Sequence, residues 1–214
     1  GLTISLWMKP SVWDITTGMD TQYVLGCVKS GGWGIKLVNS GGNLTTLQFE
    51  IRTTSGYIYA TIDKDTTQAF TGWKNIIATY NQTTGVAKIY HSNSSTGTTD
   101  GNATAGDAID YHSSPVPLFI GADASTTTTA ADFFNGSIDD VAIFNTEISS
   151  AQRLDIYNFN KPKDLLGQTG LVGYWLMGDP GGINEYPTIQ DVTNNDNNGT
   201  MNNMDEINIT NDVP

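Results

Sequence analysis

Short runs of alternating apolar and polar residues, separated by turn-forming residues, constrain the fold of this chain more than any other feature. The run from Leu2 to Met8 alternates in this way until Pro10 ends it. In positions 47–52, the apolar residues Leu, Phe and Ile alternate with the polar residues Gln, Glu and Arg. Because successive side chains of a β-strand point to opposite faces, each run predicts a strand with one buried face. The chain is therefore predicted to be all-β.

The spacing of these runs predicts a sandwich of antiparallel strands. The turn 81–85 leads directly into the run 86–91 and predicts a hairpin. The other runs that predict strands are residues 34–38, 57–62, 73–80, 116–121, 133–148 and 171–177. Strands at such intervals, joined by turns and by two long loops (residues 92–107 and 122–132), are typical of an all-β sandwich and not of alternating strands and helices.

One short helix is expected near residues 149–159. Ser149 or Ser150 can cap its start, and the chain meets Pro162 soon after its end. An apolar stripe would face the core, formed by Leu154, Ile156, Tyr157 and Phe159.

Composition excludes several classes of function. The net charge of −12 argues against a nucleic-acid partner, which would require clustered Lys and Arg. No stretch approaches the ~20 apolar residues of a membrane span. The single Cys27 excludes an internal disulfide framework and, within an apolar run, is expected to be buried and inert.

Four segments in order resemble the laminin-G-like and pentraxin-like branch of the concanavalin A-like lectin and glucanase superfamily. They are residues 2–10, 73–90, 118–121 and 134–145, the last reading FNGSIDDVAIFN. This resemblance implies a jelly roll of two stacked antiparallel sheets, with a short helix near the last strands. More loosely, the loop-rich chain also resembles terminal modules of structural proteins in marine bacteriophages.

The resemblance covers residues 2–160 and leaves two interpretations of the remainder. Segments such as Leu171 to Trp175 and 197–201 look like opening strands of such a domain, although they come last here. In the first interpretation residues 1–214 form one domain and 170–214 complete the same sandwich. In the second, 1–165 is the domain and 170–214 start another module. We favour the first, because a lone pair of strands could not bury Tyr174 and Trp175 stably.

Candidate ligand contacts lie in the loops. Trp13, in the loop after Pro10, could stack on the face of a sugar, and Tyr111 and His112 flank a long loop. Asp123 adds a carboxylate in the loop after Gly121.

The resemblance also implies a calcium ion beside an Asp pair in the fourth segment. Carried over to this chain, it points to Asp139 or Asp140 with Asp191, and to Asn195 or Asp196 as a further ligand. Strand parity places Asp139 with Val141 on one face and Asp140 with Ile138 on the other. A carboxylate on a buried face needs either a cation or several N–H donors, and both alternatives stay open here.

These features predict a non-enzymatic binding module outside the cytoplasm. Glucanases of the superfamily carry paired carboxylates on one face of a strand, and none of the four glutamates belongs to such a run. We expect a lectin-like domain that binds a glycan or cell-surface polysaccharide, with Ca²⁺ as the candidate cofactor. The alternative is a display or decoration domain of a virion or extracellular assembly, whose partners are other structural subunits. A hydrolase ranks last.

Overall fold

The protein is described by a computed structural model that covers most of the chain. The described residues are 1–11, 21–28, 31–39, 45–63, 72–92, 94–95, 99–101, 104–124, 126, 128–178, 185–210, 212 and 214.

The described elements are strands, with one α-helix and one short 3₁₀ helix. In chain order the strands are β1 (Leu2–Pro10), β2 (Thr21–Gly26), β3 (Trp33–Asn39), β4 (Thr45–Thr53), β5 (Gly56–Asp63), β6 (Lys74–Asn81), β7 (Val86–His91), β8 (Ser94–Ser95), β9 (Thr99–Gly101), β10 (Phe119–Ile120), β11 (Asp123–Ala124), β12 (Ala130–Ala131), β13 (Gly136–Phe144), β14 (Leu171–Trp175), β15 (Thr188–Ile189) and β16 (Gly199–Thr200). The α-helix, α1, is Ser150–Tyr157, and the 3₁₀ helix is Glu206–Asn208.

Two six-stranded sheets form the body of the molecule. The first sheet has the order β14-β13-β1-β6-β7-β8, and the second has the order β10-β2-β3-β4-β5-β9. The pairings within both sheets are antiparallel. Two further two-stranded ladders join β11 to β12 and β15 to β16. The predicted all-β, two-sheet sandwich is confirmed.

The main core lies between the two sheets, as the alternation predicts. Leu47, Phe49 and Ile51 of β4 are almost fully buried on its inner face. They meet Ile4 and Leu6 of the first sheet's central strand β1 in one apolar cluster. Burial of these aliphatic and aromatic side chains supplies the dominant stabilisation of the fold.

The outer face of the first sheet is covered as well, so its central strands are buried on both sides. Ile156 of α1 packs there with Phe144 and Tyr174 in a second apolar cluster. The helix starts as predicted: Ser149 Oγ accepts a hydrogen bond from Gln152 N–H (3.2 Å), and Gln152 Oε1 accepts one from Ser149 N–H (3.1 Å).

The predicted end of the helix and its apolar stripe are wrong in part. The helix ends at Tyr157, and Asn158, Phe159 and Asn160 adopt left-handed backbone conformations. Phe159 is therefore turned away from the helix face and is 90% exposed. Of the predicted stripe, Ile156 is buried and Leu154 is exposed.

Residues after 170 contribute an edge strand to the first sheet. Strand β14 pairs with β13, with Trp175 opposite Val141 and Tyr174 opposite Ala142. Trp175 packs in the main core, and Tyr174 packs in the second cluster. We propose on this basis that residues 170–214 belong to the same domain as the rest of the chain.

The outer face of the second sheet differs from that of the first in being polar and aromatic. Within the described chain, no helix packs across it. The side chains on this face alternate along each strand with those that point into the core. The partly exposed ones include Lys36, Gln48, Arg52, Tyr57 and Tyr59. The same portion of the chain contains no helix long and apolar enough to cross a membrane.

A buried histidine at the end of β7 makes stability depend on pH. Burial, together with the nearby Lys74 cation, lowers the pKa of His91 to about 4. The unfolded chain then binds a proton at a higher pH than the folded chain does. We expect stability to fall by about 2–3 kcal/mol as pH decreases from 6.5 to 4, measured by urea unfolding at each pH.

A variant His91→Gln should flatten this pH slope. The more exposed His112, changed to Gln in the same way, provides the control because it is the chain's only other imidazole. An unchanged slope in His91→Gln would contradict the assignment.

Candidate functional site: a tyrosine surface on the second sheet

Two tyrosines of β5 face outward beside a charged strand. Tyr57 lies opposite Arg52 of β4, and Tyr59 lies opposite Glu50. The intervening Ile58 points into the core. Because side chains alternate along a strand, the two tyrosines share the outer face at a spacing of two residues.

The two rings lie nearly parallel. Their centroids are 6.3 Å apart, and their planes differ by 10°. The Arg52 guanidinium carbon lies 4.8 Å from the centre of the Tyr57 ring, a cation–π arrangement. Parallel aromatic rings beside a multiple hydrogen-bond donor are suited to a ligand with apolar C–H faces and polar rims.

The segment after residue 109 extends this surface at one end of the sheet. Asp110 forms an ion pair with Arg52, with 3.5 Å between its Oδ2 and Arg52 Nε. Tyr111 follows directly and is more than half exposed, but its side-chain hydrogen bond is to Trp33, which packs in the main core. We call Arg52, Tyr57, Tyr59 and Asp110 together the tyrosine surface.

His112 lies next to this surface, and its orientation is set locally. Its Nδ1 accepts a hydrogen bond from the Ser114 backbone N–H at 3.0 Å. The structure therefore brings two of the predicted ligand residues, Tyr111 and His112, to the end of the second sheet. Their role as ligand contacts stays a prediction.

A buried polar network supports the tyrosine surface from the centre of the sheet. Tyr23 Oη donates to Glu50 Oε1 at 2.9 Å, and Lys36 Nζ lies 2.5 Å from Glu50 Oε2. Lys36 Nζ also lies within 5.2 Å of the Tyr23 ring centre and 5.7 Å of the Tyr59 ring centre. Burial, with the Glu50 carboxylate beside it, raises the pKa of Tyr23 far above its ordinary value. These contacts hold Tyr59 in place.

Two glycines make room for this network. An added Cβ on Gly34 would lie 2.9 Å from the Tyr23 ring, and one on Gly26 would lie 2.7 Å from Asp123 Oδ1. Gly26 and Gly34 face each other on β2 and β3. The absence of side chains at this pair allows Tyr23 and Asp123 to lie flat on the sheet.

Asp123 is buried at the edge of this region. Its Oδ1 accepts a hydrogen bond from Val28 N–H at 2.9 Å. Burial raises the pKa of the Asp123 carboxyl, and the neighbouring Glu50 and Asp132 carboxylates add to the increase. The predicted role of Asp123 as a ligand contact stays a prediction. Trp13, the other predicted contact, lies outside the described residues.

The predicted parity of the Asp pair in β13 is wrong because the strand contains a bulge. The register between β1 and β13 shifts after Asp139, and Asp140 has a left-handed φ of 49°. An extra residue reverses the alternation, so Ile138 and Val141 both face the main core. Asp139 therefore does not share a face with Val141.

N–H and O–H donors reach both carboxylates of this pair. Asp139 Oδ1 accepts from the backbone N–H of Asp140 at 2.8 Å and of Met177 at 3.0 Å. Asp140 Oδ1 accepts from Tyr174 Oη at 2.8 Å. The sequence left open whether a cation or N–H donors stabilise these buried carboxylates. The structure shows hydrogen-bond donors.

Asp191 is the most heavily hydrogen-bonded carboxylate of the predicted set. Its Oδ1 accepts from Tyr174 N (3.0 Å), Thr193 N (3.0 Å) and Thr193 Oγ1 (2.8 Å). Its Oδ2 accepts from Asn197 N (3.1 Å) and Asn197 Nδ2 (2.9 Å). Burial alone would raise the pKa of this carboxyl, but these hydrogen bonds outweigh burial and lower it.

The four predicted metal ligands are not gathered at one place in the described part of the chain. Asp196 is exposed on the Asn-rich turn that Asp191 organises. Among the residues that the structure describes, no three Asp, Glu, His or Cys side chains are grouped to hold a metal ion. Calcium prefers six to eight oxygens, and the oxygens of Asp191 already accept donors. Calcium binding stays a prediction.

Comparison with known proteins identifies the family. A family model described as the concanavalin A-like lectin/glucanases superfamily matches residues 1–152. The chain belongs to this superfamily. The resemblance inferred from the four sequence segments is therefore confirmed. No curated protein matches the chain in sequence.

Three solved structures share the fold of this chain at low sequence identity. A proposed carbohydrate-binding protein from Bacteroides ovatus is 19% identical with a TM-score of 0.62, and the match covers 93% of this chain and 51% of that one. The enzymatically active domain of tailspike protein 2 from bacteriophage CBA120 is 15% identical with a TM-score of 0.54, covering 82% and 26%. A heptameric pentraxin from Limulus polyphemus is 13% identical with a TM-score of 0.51, covering 80% and 78%.

These three likenesses establish the fold and nothing further, because all lie below 20% identity. The chain spans about half the length of the Bacteroides protein and about a quarter of the tailspike domain.

Sequence reasoning missed Arg52, Tyr57 and Tyr59. The signal was present, since two tyrosines two residues apart alternate with the apolar Ile58 and Ala60. Such spacing places both rings on the outward face of the strand. What the sequence did not show is that Arg52 pairs with Tyr57 across the hairpin.

Proposed function

We propose that this domain is a non-catalytic glycan-binding module and that the tyrosine surface holds the sugar. The observation that carries the proposal is the parallel Tyr57–Tyr59 pair beside Arg52 on the outer face of the second sheet. Sugar rings have C–H faces that pack on aromatic rings and hydroxyl rims that bond to Arg and Asp. Asp110 extends the contact area at the end of the sheet.

Two findings support this proposal. Membership of the concanavalin A-like lectin/glucanases superfamily is compatible with sugar recognition, and the Bacteroides ovatus structure is described as a proposed carbohydrate-binding protein. The surface itself is pre-organised, since the buried network beside it holds Tyr59 through Lys36, and a rigid platform loses little entropy on binding.

The carboxylates of this region favour binding over catalysis. Retaining glycoside hydrolysis needs two carboxyl groups about 5–5.5 Å apart that reach the substrate. Glu50 is buried and held by Tyr23 and Lys36, and Asp123 is buried against the backbone. Neither carboxylate is presented to solvent as a nucleophile or an acid, and the exposed Asp110 is paired with Arg52.

The test is binding of oligosaccharides to the wild type and to Tyr57→Ala. We expect roughly tenfold weaker binding for the variant, since one stacking contact contributes about 1–1.5 kcal/mol. Glycan arrays would select the ligand, and calorimetry would give the affinity. Repeating the titration with EDTA tests the calcium prediction separately.

Phe159→Ala is the matched control for this experiment. Phe159 is the most exposed aromatic side chain of the described chain and lies next to α1, on the other side of the sandwich. Its replacement should leave sugar affinity unchanged. Equal loss of binding in both variants would contradict a site on the tyrosine surface.

A second candidate is a display domain of a virion or extracellular assembly. It is favoured by the exposed apolar side chains near α1, namely Leu154, Phe159 and Leu166, and by the likeness to a bacteriophage tailspike domain. A stable oligomer in light scattering, dispersed by Phe159→Ser and accompanied by no glycan signal, would favour it over the first. Both candidates place the domain outside the cytoplasm.

A further inference from the structure

We infer that the tyrosine surface takes uncharged sugars and discriminates against acidic ones. The inference rests on the proposed function and adds the class of sugar. It follows from how the cations of the second sheet's outer face are already neutralised.

Lys36 is unable to act as a receptor for an acidic sugar. Its ammonium group lies against Glu50 Oε2, and the two side chains are 12% and 6% exposed. It also donates to Tyr23 Oη at 3.3 Å and lies between the rings of Tyr23 and Tyr59. An incoming carboxylate would have to displace Glu50 and leave that carboxylate buried without its cation, which is costly.

Arg52 is the more accessible cation, and it too has a carboxylate partner. Asp110 lies 3.5 Å away, and the two side chains are 36% and 43% exposed. One face of the guanidinium covers the Tyr57 ring. The pair presents N–H donors and carboxylate acceptors side by side with no net charge. A sugar hydroxyl both donates and accepts, so adjacent hydroxyls match this pair better than a carboxylate or sulfate does.

The surrounding charge acts in the same direction. Asp123 adds a carboxylate at the β2 edge, and Asp107 adds another near the Asp110 end, where it contacts Thr53 and Thr54. Among the described residues, the outer face of the second sheet carries no cation besides Lys36 and Arg52. The whole chain has a net charge of −12, which repels an acidic polysaccharide at low ionic strength.

The test compares acidic glycans with their neutral methyl esters, which keep the same sugar residues. Sialylated glycans and galacturonan fragments, each with its methyl ester, would be titrated at low and at physiological salt. For each pair that binds, we expect the uncharged glycan to bind at least about tenfold more tightly than the acidic one at low salt. This difference in affinity should become smaller at physiological salt, because salt screens the repulsion between the acidic glycan and the protein.

Each outcome has a separate meaning. Preference for the acidic members would overturn this inference while leaving the glycan-binding proposal intact. Binding to neither member, in a wild-type protein that melts cooperatively, would overturn the proposed function and this inference with it.

Asp110→Asn provides a sharper test because it removes the carboxylate beside Arg52. The freed guanidinium should raise affinity for acidic glycans several-fold and reduce the preference for uncharged ones. Asp155→Asn is the matched control, since Asp155 also pairs with a cation, Lys163, but lies on α1. No change in charge preference in Asp110→Asn would overturn the assigned role of the Arg52–Asp110 pair.

Discussion

A chain that ends at Thr169 is expected to lose its cooperative unfolding transition. Removal of residues 170–214 exposes the edge of β13 that pairs with β14. It also deletes the buried side chains of Tyr174 and Trp175, which are 2% and 6% exposed. Loss of a buried aromatic side chain typically costs about 3–5 kcal/mol. Two such losses approach the total stability of an ordinary domain, about 5–15 kcal/mol.

Hydrogen bonding increases the cost of this truncation. Asp139 would lose the Met177 N–H donor, and Asp140 would lose the Tyr174 hydroxyl. Both carboxylates are buried, and a buried carboxylate without its donors is strongly unfavourable.

Thermal unfolding followed by near-ultraviolet circular dichroism would measure the effect. A chain that ends at Thr210 is the control, because it keeps Tyr174, Trp175 and the donors to Asp139 and Asp140 and removes the exposed contacts of Asp212 with Lys9 and Trp73. Its melting temperature should lie within a few degrees of the full chain. A cooperative transition in the chain that ends at Thr169 would instead support a separate module after residue 170.

Asp191→Asn is expected to lower the free energy of unfolding by about 2–4 kcal/mol. The carboxylate accepts five hydrogen bonds from Tyr174, Thr193 and Asn197. In the variant, an N–H₂ group takes the place of one of the two acceptor oxygens. That group cannot accept hydrogen bonds, so the N–H and O–H donors that point at it lose their acceptor. The side chain joins β14 to the Asn-rich turn, so its loss would loosen the edge of the first sheet.

Asp196→Asn makes the same chemical change on the same turn and should cost no more than about 0.5 kcal/mol, because Asp196 is exposed. Urea unfolding of both variants would provide the comparison. Equal stability of the two variants would contradict the role assigned to Asp191.

The pH dependence of Asp191→Asn provides a second readout. Since the pKa of the Asp191 carboxyl is lowered in the folded state, its contribution is present above the unfolded pKa of about 4 and is lost as pH falls through the folded pKa. The wild type and Asp191→Asn should therefore approach equal stability in acid.

The sequence by itself determined the fold class and the buried faces, because both depend on local patterns. Alternation assigned Leu47, Phe49 and Ile51 to the core, and all are almost fully buried. The start of the helix followed from the two candidate caps Ser149 and Ser150, and the structure uses Ser149, whose side chain accepts from Gln152 N–H. Such signals act between neighbours in the chain, where covalent geometry limits the possible arrangements.

Only the tertiary structure decided which distant residues meet. The bulge at Asp140 reverses strand parity, and it becomes visible once β13 is paired with β1. Tyr174 contacts Asp140, although the two residues are 34 positions apart in the sequence. Asp110 likewise contacts Arg52, which lies far from it in the sequence. The tyrosine surface likewise depends on the pairing of β4 with β5 and on a loop that packs against the end of the sheet. Register and loop packing are set by the summed burial of many side chains, so a local pattern does not contain them.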